Sequence, residues 1–344
     1  MAFHHQRGFP FVCSVYISNG VVVKQFWLML SILLAEICLC ASTVRADVIN
    51  DINGWSGTGG GNELNATNLS SSSDRSSLRV MTFNIRWQGY DSIGKYHDTD
   101  FTRRKLLVLD VLKKFGADVI GLQEVSIEQR AVMAPDLPGF GMFPTPHEAG
   151  DECILYRHDR FVLVDSGHED LRVLPEKAGT GIGVRDFVWV YLQDRFSGKR
   201  FYLLNFHTDG RSYKRGRQLD GVLIGKWIAR REFDDPVILT GDFNGKPEQP
   251  RYLYLTGKSD YLGRYGKIER MPMPMLDSFK VANPHARYSG TANPGFSGRK
   301  DGVRIDYVFV PRGTKVIGSK IIYYNVDGAY PSDHFPLLSE FELE

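Results

Sequence analysis

The chain has 344 residues, 42% of them hydrophobic, so it is long enough to bury a large core as one big domain or two small ones. Its formal net charge of +2 is too close to zero to indicate a polyanionic partner by itself. Overall charge is therefore excluded as a guide to function, and a charged site has to be sought locally.

An apolar segment near the N-terminus is typical of an export signal. Residues 26–40 are apolar and of about signal-peptide length, and Glu36 makes them a poor membrane span. Lys24 supplies a positive flank, and small residues around Ala46 suit a signal peptidase. We therefore predict a signal peptide at 1–46 and export of the mature chain, with an uncleaved membrane anchor as the less favoured alternative.

The residues on either side of this apolar segment bear on where the chain starts and on which cysteines the mature chain keeps. The first 22 residues are long and mixed for a signal, which suggests a misassigned start with Val23 as the initiator. Three of the four cysteines precede the predicted cleavage site, so Cys153 alone remains and no intramolecular disulfide can form. Residues 47–77 are rich in Gly, Ser and Asn, and we predict a flexible tether there, followed by one domain at 78–344.

The domain sequence predicts alternating strands and helices, followed by a part in which strands predominate. Helical spacing of apolar residues predicts helices at 101–115 and 214–231. Short apolar or alternating runs predict strands at 79–86, 118–124, 154–156, 161–165, 187–192, 201–206, 237–242, 304–310, 316–324 and 335–341. This order favours an α/β domain with a substantial sheet.

Several predicted strands end in a polar side chain: Asn84, Glu124, His207 and Asp242. Asp242 and Asn244 are two residues apart, so both side chains leave an extended segment on the same face. A carboxylate can bind a metal or accept a proton from water, and a carboxamide can orient an oxygen without adding charge. Each feature alone has an ordinary explanation, such as an Asx turn at Asp242 or a helix cap at Glu124.

Taken with Asp306, Asp333 and His334, these residues form a set that suits one kind of chemistry. They supply oxygen ligands for a hard divalent cation, a group that can activate water, and two imidazoles. Attack of water on a phosphate ester needs these groups.

Six motifs in order carry a family resemblance: MTFNIR (81–86), LQE (122–124), NFH (205–207), GDFN (241–244), RIDYVFV (304–310) and SDH (332–334). On these the chain resembles the endonuclease/exonuclease/phosphatase superfamily, the DNase I-like metal-dependent phosphodiesterases. Its members include pancreatic-type DNases, abasic-site endonucleases, bacterial sphingomyelinases, inositol polyphosphate 5-phosphatases and deadenylases. The resemblance implies an α/β four-layer sandwich, in which two mixed β-sheets pack face to face with helices outside.

The resemblance also implies a metal and a water-activating group. Glu124, with Asn84 nearby, would ligate Mg²⁺ or Mn²⁺, and Asp333 would support that metal site. Asp242 would align or deprotonate the attacking water, and Asn244 would hold the scissile phosphate.

Two histidines complete the implied site. His334, oriented by Asp306 through its ring nitrogen, would contact a phosphate oxygen, and His207 would donate from the other side. An acid before the strand at 154–156 often orients the first histidine in this family, and we expect Glu152 rather than Asp151 to do so. Arg185 also matches a pattern of exported bacterial members, although a surface arginine explains it equally well.

Departures from the family patterns argue against particular subfamilies. His207 is followed by Thr-Asp-Gly, so the second histidine of many bacterial members is missing. The Trp-Cys-Asp-Arg motif of inositol phosphatases does not occur, and Val303 stands where abasic endonucleases carry tryptophan. A basic cluster (Arg211, Lys214, Arg215 and Arg217) could follow a phosphate backbone, but a solvated helix start is slightly favoured.

The sequence thus predicts an exported, Mg²⁺- or Mn²⁺-dependent phosphodiesterase or phosphatase. The substrate stays open among nucleic acid, a phospholipid headgroup and a sugar phosphate, because it depends on loops such as 257–275 and 283–299. A nuclease acting on DNA or RNA is one alternative, and a catalytically silent binding module of the same fold is another. We predict a monomer without a stable protein partner.

Overall fold

The structure is a computed structural model, and it describes residues 76–91, 100–146, 150–170, 184–208, 214–262 and 267–343. The predicted signal peptide, nearly all of the predicted tether, and Arg211 lie outside these residues. At Arg185 and at 214–218 the backbone alone is described, so the roles considered for Arg185 and the basic cluster remain predictions.

Strands make up most of the described secondary structure. In chain order they are β1 (Leu78–Asn84), β2 (Val119–Gln123), β3 (Phe140–Pro144), β4 (Cys153–Arg157), β5 (Phe161–Asp170), β6 (Val184–Asp194), β7 (Arg200–Thr208), β8 (Val237–Asp242), β9 (Tyr261–Leu262), β10 (Ile268–Glu269), β11 (Met275–Asp277), β12 (Asp306–Pro311), β13 (Lys315–Ile321) and β14 (Leu337–Glu342).

The helices are mostly short. They are α1 (Phe101–Lys114), α2 (Ile127–Met133), α3 (Lys214–Arg230), α4 (Pro250–Leu255) and α5 (Ser278–Ala282), with 3₁₀ turns at Gln88–Tyr90, Ala134–Asp136 and Pro294–Phe296. Within the described part of the chain, no helix combines the length and apolar character needed to cross a membrane.

Two six-stranded sheets carry the fold. One has the order β13-β14-β1-β2-β4-β3 and the other β11-β12-β8-β7-β6-β5, while β9 and β10 pair separately. Each sheet is mixed, since β1 and β2 are parallel in the first, β7 and β8 are parallel in the second, and the remaining pairs are antiparallel.

Three apolar clusters show how the layers stack. One joins residues of both sheets, such as Val80 of β1 and Leu203 of β7, and therefore lies between them. A second packs the outer face of the first sheet, including Met81, against α1. A third packs the second sheet against α3, with Trp227 among its residues. Successive residues of β1 enter different clusters because strand side chains alternate between faces. The predicted four-layer sandwich is confirmed.

A buried polar network also connects the two sheets. Asn205 of β7 accepts hydrogen bonds at Oδ1 from Gln123 Nε2 of β2 (2.6 Å) and from Thr240 Oγ1 of β8 (3.0 Å). Its own Nδ2 donates to the carbonyl oxygen of Leu122 (2.8 Å). Because a buried polar group is costly without partners, this network favours one alignment of β2 over β7.

Several short elements differ from the sequence predictions. The segment 257–275, predicted as a loop, contains the β9–β10 pair and begins β11, and the predictions omitted β3, α2, α4 and α5. These elements have two to seven residues, too few to show a clear hydrophobic period. The long predicted elements all occur, with ends that shift by a few residues.

A substitution at the inter-sheet contact tests the network. A Cβ built on Gly121 lies 2.2 Å from Thr240 Oγ1 and 2.3 Å from Asn205 Oδ1. We expect Gly121→Ala to lower the free energy of unfolding by about 1–3 kcal/mol through overpacking. Urea denaturation measures the effect. Gly139→Ala is the matched control, since nothing lies within 4 Å of its added Cβ. Equal stability of the two variants would contradict a tight inter-sheet contact.

Candidate active site

Parallel pairing in both sheets brings four polar strand ends to one edge. Asn84 lies opposite Gln123 at the ends of β1 and β2, which places Glu124 just beyond the pair. His207 lies opposite Asp242 at the ends of β7 and β8. The carboxyl ends of parallel strands meet where α/β enzymes build their sites, so the predicted residues converge here.

Asn84 joins the two sheets within the site. Its buried amide donates from Nδ2 to Glu124 Oε1 (3.0 Å) and to Asp242 Oδ2 (3.2 Å). One side chain therefore holds a carboxylate from each sheet, and two acids are kept close together in spite of their mutual repulsion.

Three non-glycine residues of the site have left-handed backbone conformations. The φ values are 62° at Arg86, 59° at Glu124 and 44° at Asn244. Such conformations typically cost about 1–3 kcal/mol each and persist where the surroundings impose them. At Glu124 the carboxylate accepts a hydrogen bond from the backbone nitrogen of Trp87 (2.8 Å), which helps to fix its direction.

Asp242 lies at the centre and is only 1% exposed. Its Oδ2 is 3.6 Å from His207 Nε2 and 3.7 Å from His334 Nε2, and its Oδ1 accepts from the backbone nitrogen of Asn244 (2.8 Å). Burial raises the pKa of Asp242, and the charge of Asp306 raises it further against the opposing effect of the imidazoles. A raised pKa makes a carboxylate a better acceptor for a proton from water.

His334 is held by Asp306, as predicted. Its Nδ1 lies 3.0 Å from Asp306 Oδ2, and its backbone nitrogen donates to Ser332 Oγ (3.2 Å). Burial alone would lower the pKa of His334, but the charges of Asp306 and Asp242 raise it well above its usual value. The ring is therefore an imidazolium whose Nε2 faces the site.

The acid that contacts His207 is Asp151, so the prediction of Glu152 is wrong on this point. Asp151 Oδ2 lies 3.4 Å from His207 Nδ1. Glu152 is fully buried, its Oε2 accepts from Thr145 Oγ1 (2.9 Å), and its Oε1 has no hydrogen-bond partner among the described residues. Burial, together with the charges of Asp151 and Asp186, raises the pKa of Glu152 well above its usual value.

The charge on His207 follows from the acids around it. Burial lowers its pKa, but the hydrogen bond to Asp151 and the charges of Asp242 and Glu124 raise it to about 10. Beside it, Asn244 Nδ2 donates to the carbonyl oxygen of Thr208 (2.7 Å) and lies 3.2 Å from His207 Nε2. The two imidazoles therefore flank Asp242 as cations.

Asp333 does not join Asn84 and Glu124 in the way predicted. Its Oδ2 forms an ion pair with Arg86 Nη1 at 2.6 Å, and no side-chain contact with Asn84 or Glu124 is seen among the described residues. Its role as a support for the metal site stays a prediction. Sequence reasoning quoted Arg86 within a motif but gave it no role, although its pairing with Asp333 anchors the segment that carries His334.

Arg104 of α1 was also overlooked. It is buried, and its Nη1 donates to the carbonyl oxygens of Ile85 and Pro331, both at 2.8 Å. It therefore ties the end of β1 to the segment before His334. Its position on the buried side of a predicted amphipathic helix could have indicated this role from the sequence.

Two groups of donors in the site could hold a divalent cation. Glu124 and Asn84 offer carboxylate and amide oxygens at the mouth, beside Asp242. Asp242, Asp306 and His334 offer ligand atoms that all lie within 4.8 Å of one another. Oxygen-rich donors suit Mg²⁺ or Mn²⁺. Each group has a member that is already engaged, Asp306 by His334 Nδ1 (3.0 Å) and the amide oxygen of Asn84 by the backbone nitrogen of Arg86 (2.9 Å). The first group contains the ligands that the family resemblance implies.

Comparison with known proteins gives a family match over most of the chain. The model of the Endonuclease/Exonuclease/phosphatase family matches residues 81–334. Nocturnin from Drosophila melanogaster is 25% identical over 323 residues, covering 77% of this chain and 47% of that protein. The CCR4-Not complex 3′-5′-exoribonuclease subunit Ccr4 from Mycosarcoma maydis is 21% identical over 365 residues, covering 82% of this chain and 53% of that protein. The chain thus spans about half the length of these two relatives.

A solved structure shows the same fold. The mannosyl-6-phosphatase from Bacteroides thetaiotaomicron superposes with a TM-score of 0.63 at 24% identity, covering 77% of this chain and 99% of that one.

The competing assignments of Asp151 and Glu152 can be separated by titration of His207. We expect Asp151→Asn to lower the pKa of His207, because a hydrogen-bonded negative charge that favours the imidazolium is lost. Glu152→Gln should change that pKa less, since the Glu152 carboxyl accepts a hydrogen bond from Thr145 Oγ1 and makes none with the imidazole. Two-dimensional NMR of the imidazole CH signals measures both. A larger fall in Glu152→Gln than in Asp151→Asn would restore Glu152 as the partner.

Proposed function

Because the chain belongs to the endonuclease/exonuclease/phosphatase family, we propose that it is a divalent-metal-dependent phosphoesterase. It hydrolyses a phosphodiester or phosphomonoester by attack of water. The observation that carries the proposal is the buried Asp242 carboxylate, with the Nε2 atoms of His207 and His334 at 3.6 and 3.7 Å. This arrangement joins a proton acceptor to two cationic donors in a single site.

Asp242 and the two histidines divide the chemistry between them. The carboxylate of Asp242 orients a water molecule and accepts its proton as the water attacks phosphorus. His334 donates from Nε2 to a phosphate oxygen where negative charge increases, while Asp306 holds its Nδ1. His207 donates from the opposite side, and its charge is maintained by Asp151. Asn244 positions the phosphate without adding charge.

A divalent cation fits the carboxylate of Glu124 beside Asp242, and Asn84 would ligate it after turning its amide oxygen away from the backbone nitrogen of Arg86. Bound there, it would neutralise the phosphate and polarise the P–O bonds. The chain's own contribution is to hold Glu124 in place through Asn84 Nδ2 and the Trp87 backbone nitrogen, at 3.0 and 2.8 Å.

The substrate class has two main candidates. The similarity to Ccr4, whose name describes an exoribonuclease, supports a nuclease, and the fold of a mannosyl-6-phosphatase is compatible with a sugar phosphate. A silent binding module is less well supported, because the charged groups of the site form a complete set of contacts. Export stays a prediction from residues 26–46, and an N-terminus of the mature protein far from Asp47 would refute the predicted cleavage after Ala46.

Metal dependence is the first test of the proposed function. EDTA should abolish hydrolysis and Mg²⁺ or Mn²⁺ should restore it, in a screen of DNA, sphingomyelin, phosphoinositides and simple phosphodiesters. Glu124→Gln should weaken Mg²⁺ binding in calorimetry with the fold intact, since an amide is a poorer ligand than a carboxylate. Glu128→Gln, an exposed acid on α2, is the matched control. Full activity in EDTA would rule out the mechanism.

The roles of Asp242, His334 and Asp306 predict a pattern of rates. Asp242→Asn should lower kcat roughly 10²–10⁴-fold because the proton acceptor is lost. His334→Ala should lower it roughly 10²–10³-fold, by analogy with oxyanion donors, and Asp306→Asn should cost less. The double variant of Asp306 and His334 should be no slower than His334→Ala alone, because the pair acts as a unit.

Circular dichroism of each variant controls for folding. Multiplicative losses in the double variant would show that Asp306 acts elsewhere, and near wild-type turnover of Asp242→Asn would overturn the assignment of Asp242.

A further inference from the structure

We propose that Trp87 and Tyr90 form an aromatic platform at the mouth of the site, on which a nucleobase of the substrate stacks. This proposal rests on the proposed phosphoesterase function and narrows its substrate to esters of nucleotides. Neither aromatic residue takes part in the chemistry described for Asp242 and the two histidines.

The platform is directly joined to the candidate metal ligand. The backbone nitrogen of Trp87 donates to Glu124 Oε2 at 2.8 Å. The side chain of Trp87 is therefore attached to the backbone next to the Glu124 carboxylate. Trp87 is 41% exposed and Tyr90 is 39% exposed, although burial of large aromatic side chains is favourable. Two exposed aromatic rings beside a polar reaction centre are available to a ligand.

The rings are held in place by their surroundings. A Cβ built on Gly89 would meet atoms of the Trp87 ring at 2.4–2.7 Å, so the indole lies against this glycine and needs it to have no side chain. Trp87 and Tyr90 meet edge to face, with centroids 5.2 Å apart and an interplanar angle of 88°. A ring fixed before binding loses little conformational entropy when a ligand stacks on it.

Arg86 and Phe296 extend the aromatic surface. The guanidinium carbon of Arg86 lies 5.6 Å from the Tyr90 centroid and 5.7 Å from the Phe296 centroid. Arg86 also pairs with Asp333 at 2.6 Å, next to His334 in the chain. Tyr90 and Phe296 thus flank a cation whose partner, Asp333, precedes His334 in the chain, so a base stacked here would lie near the residues assigned to the phosphate.

The chemistry of this surface favours a base over a sugar. Bases present flat π-faces to aromatic rings, whereas sugar hydroxyls need hydrogen-bond partners. On the described turn after β1, Gln88 Nε2 donates to Glu128 (3.1 Å), and Arg86 is engaged by Asp91 and Asp333. Gln88 Nε2 and the Arg86 guanidinium are therefore already engaged within the protein, and we expect stacking with little discrimination among bases.

Matched substrate pairs test the platform. Each pair has the same ester bond with and without a base: adenosine 5′-monophosphate against ribose 5-phosphate, and adenylyl-adenosine against the corresponding dinucleotide analogue that lacks both bases. Trp87→Ala should raise KM for the adenosine ester roughly 5- to 150-fold more than it raises KM for the base-free partner, the equivalent of one lost base–aromatic stack. Trp87→Tyr should restore most of the affinity. Phe196→Ala, which removes a ring that is 51% exposed between β6 and β7, is the matched control.

The outcomes separate the platform from the proposed function. If wild type hydrolyses the esters but Trp87→Ala affects both members of a pair equally, or neither, the platform is refuted and the phosphoesterase stands. If the wild type hydrolyses none of the esters in the presence of metal, the proposed phosphoesterase function is refuted. The platform is then tested by calorimetry of adenosine monophosphate binding to the wild type and to Trp87→Ala. Equal affinities would refute stacking. Loss of binding to phosphatidylcholine vesicles in Trp87→Ala, without a change toward nucleotides, would also overturn the proposal.

Discussion

The site depends on how the two sheets are aligned, and Asn205 is the residue that bonds them together. Its side chain accepts from Gln123 in one sheet and from Thr240 in its own, and donates to the Leu122 backbone. A shift of one sheet over the other would leave these buried groups without partners, at a cost of roughly 1–3 kcal/mol for each. Because β2 and β7 are fixed in this way, Glu124 and His207 end at the same edge.

At that edge, electrostatics explains why so many acids can lie together. Asp242, Asp306, Asp151 and Glu124 would repel one another, but each of the two imidazoles lies between two or more of them. The carboxylates raise the pKa values of both histidines, and the imidazoliums in turn oppose the rise in the pKa of Asp242. The site is therefore preorganised to receive an anionic phosphate next to a proton acceptor, and its surroundings impose left-handed backbone conformations on Glu124 and Asn244.

Neighbouring residues in the chain can have opposite electrostatic roles. Asp151 is half-buried and contacts His207, while Glu152 is fully buried, contacts Thr145 and has a raised pKa. Successive residues at the start of a strand leave on opposite faces, so one of the two acids faces the site and the other faces the core. The same alternation sends Val80 and Met81 of β1 to different apolar clusters.

The sequence by itself determined the fold class, the long strands and helices, and most of the site. Hydrophobic runs that end in Asn84, Glu124, His207 and Asp242 predict both the strands and a polar edge of the sheet. Hydrophobic periodicity and the end of a strand are local properties of the sequence. The Ser126–Gln129 capping box was a local signal for α2 that the predictions did not use. Only the tertiary structure decided that Asp151 rather than Glu152 contacts His207, that Arg86 holds Asp333, and that Trp87 lies beside Glu124. These contacts join residues 37 to 247 positions apart, and they depend on sheet alignment and side-chain direction, which no local pattern encodes.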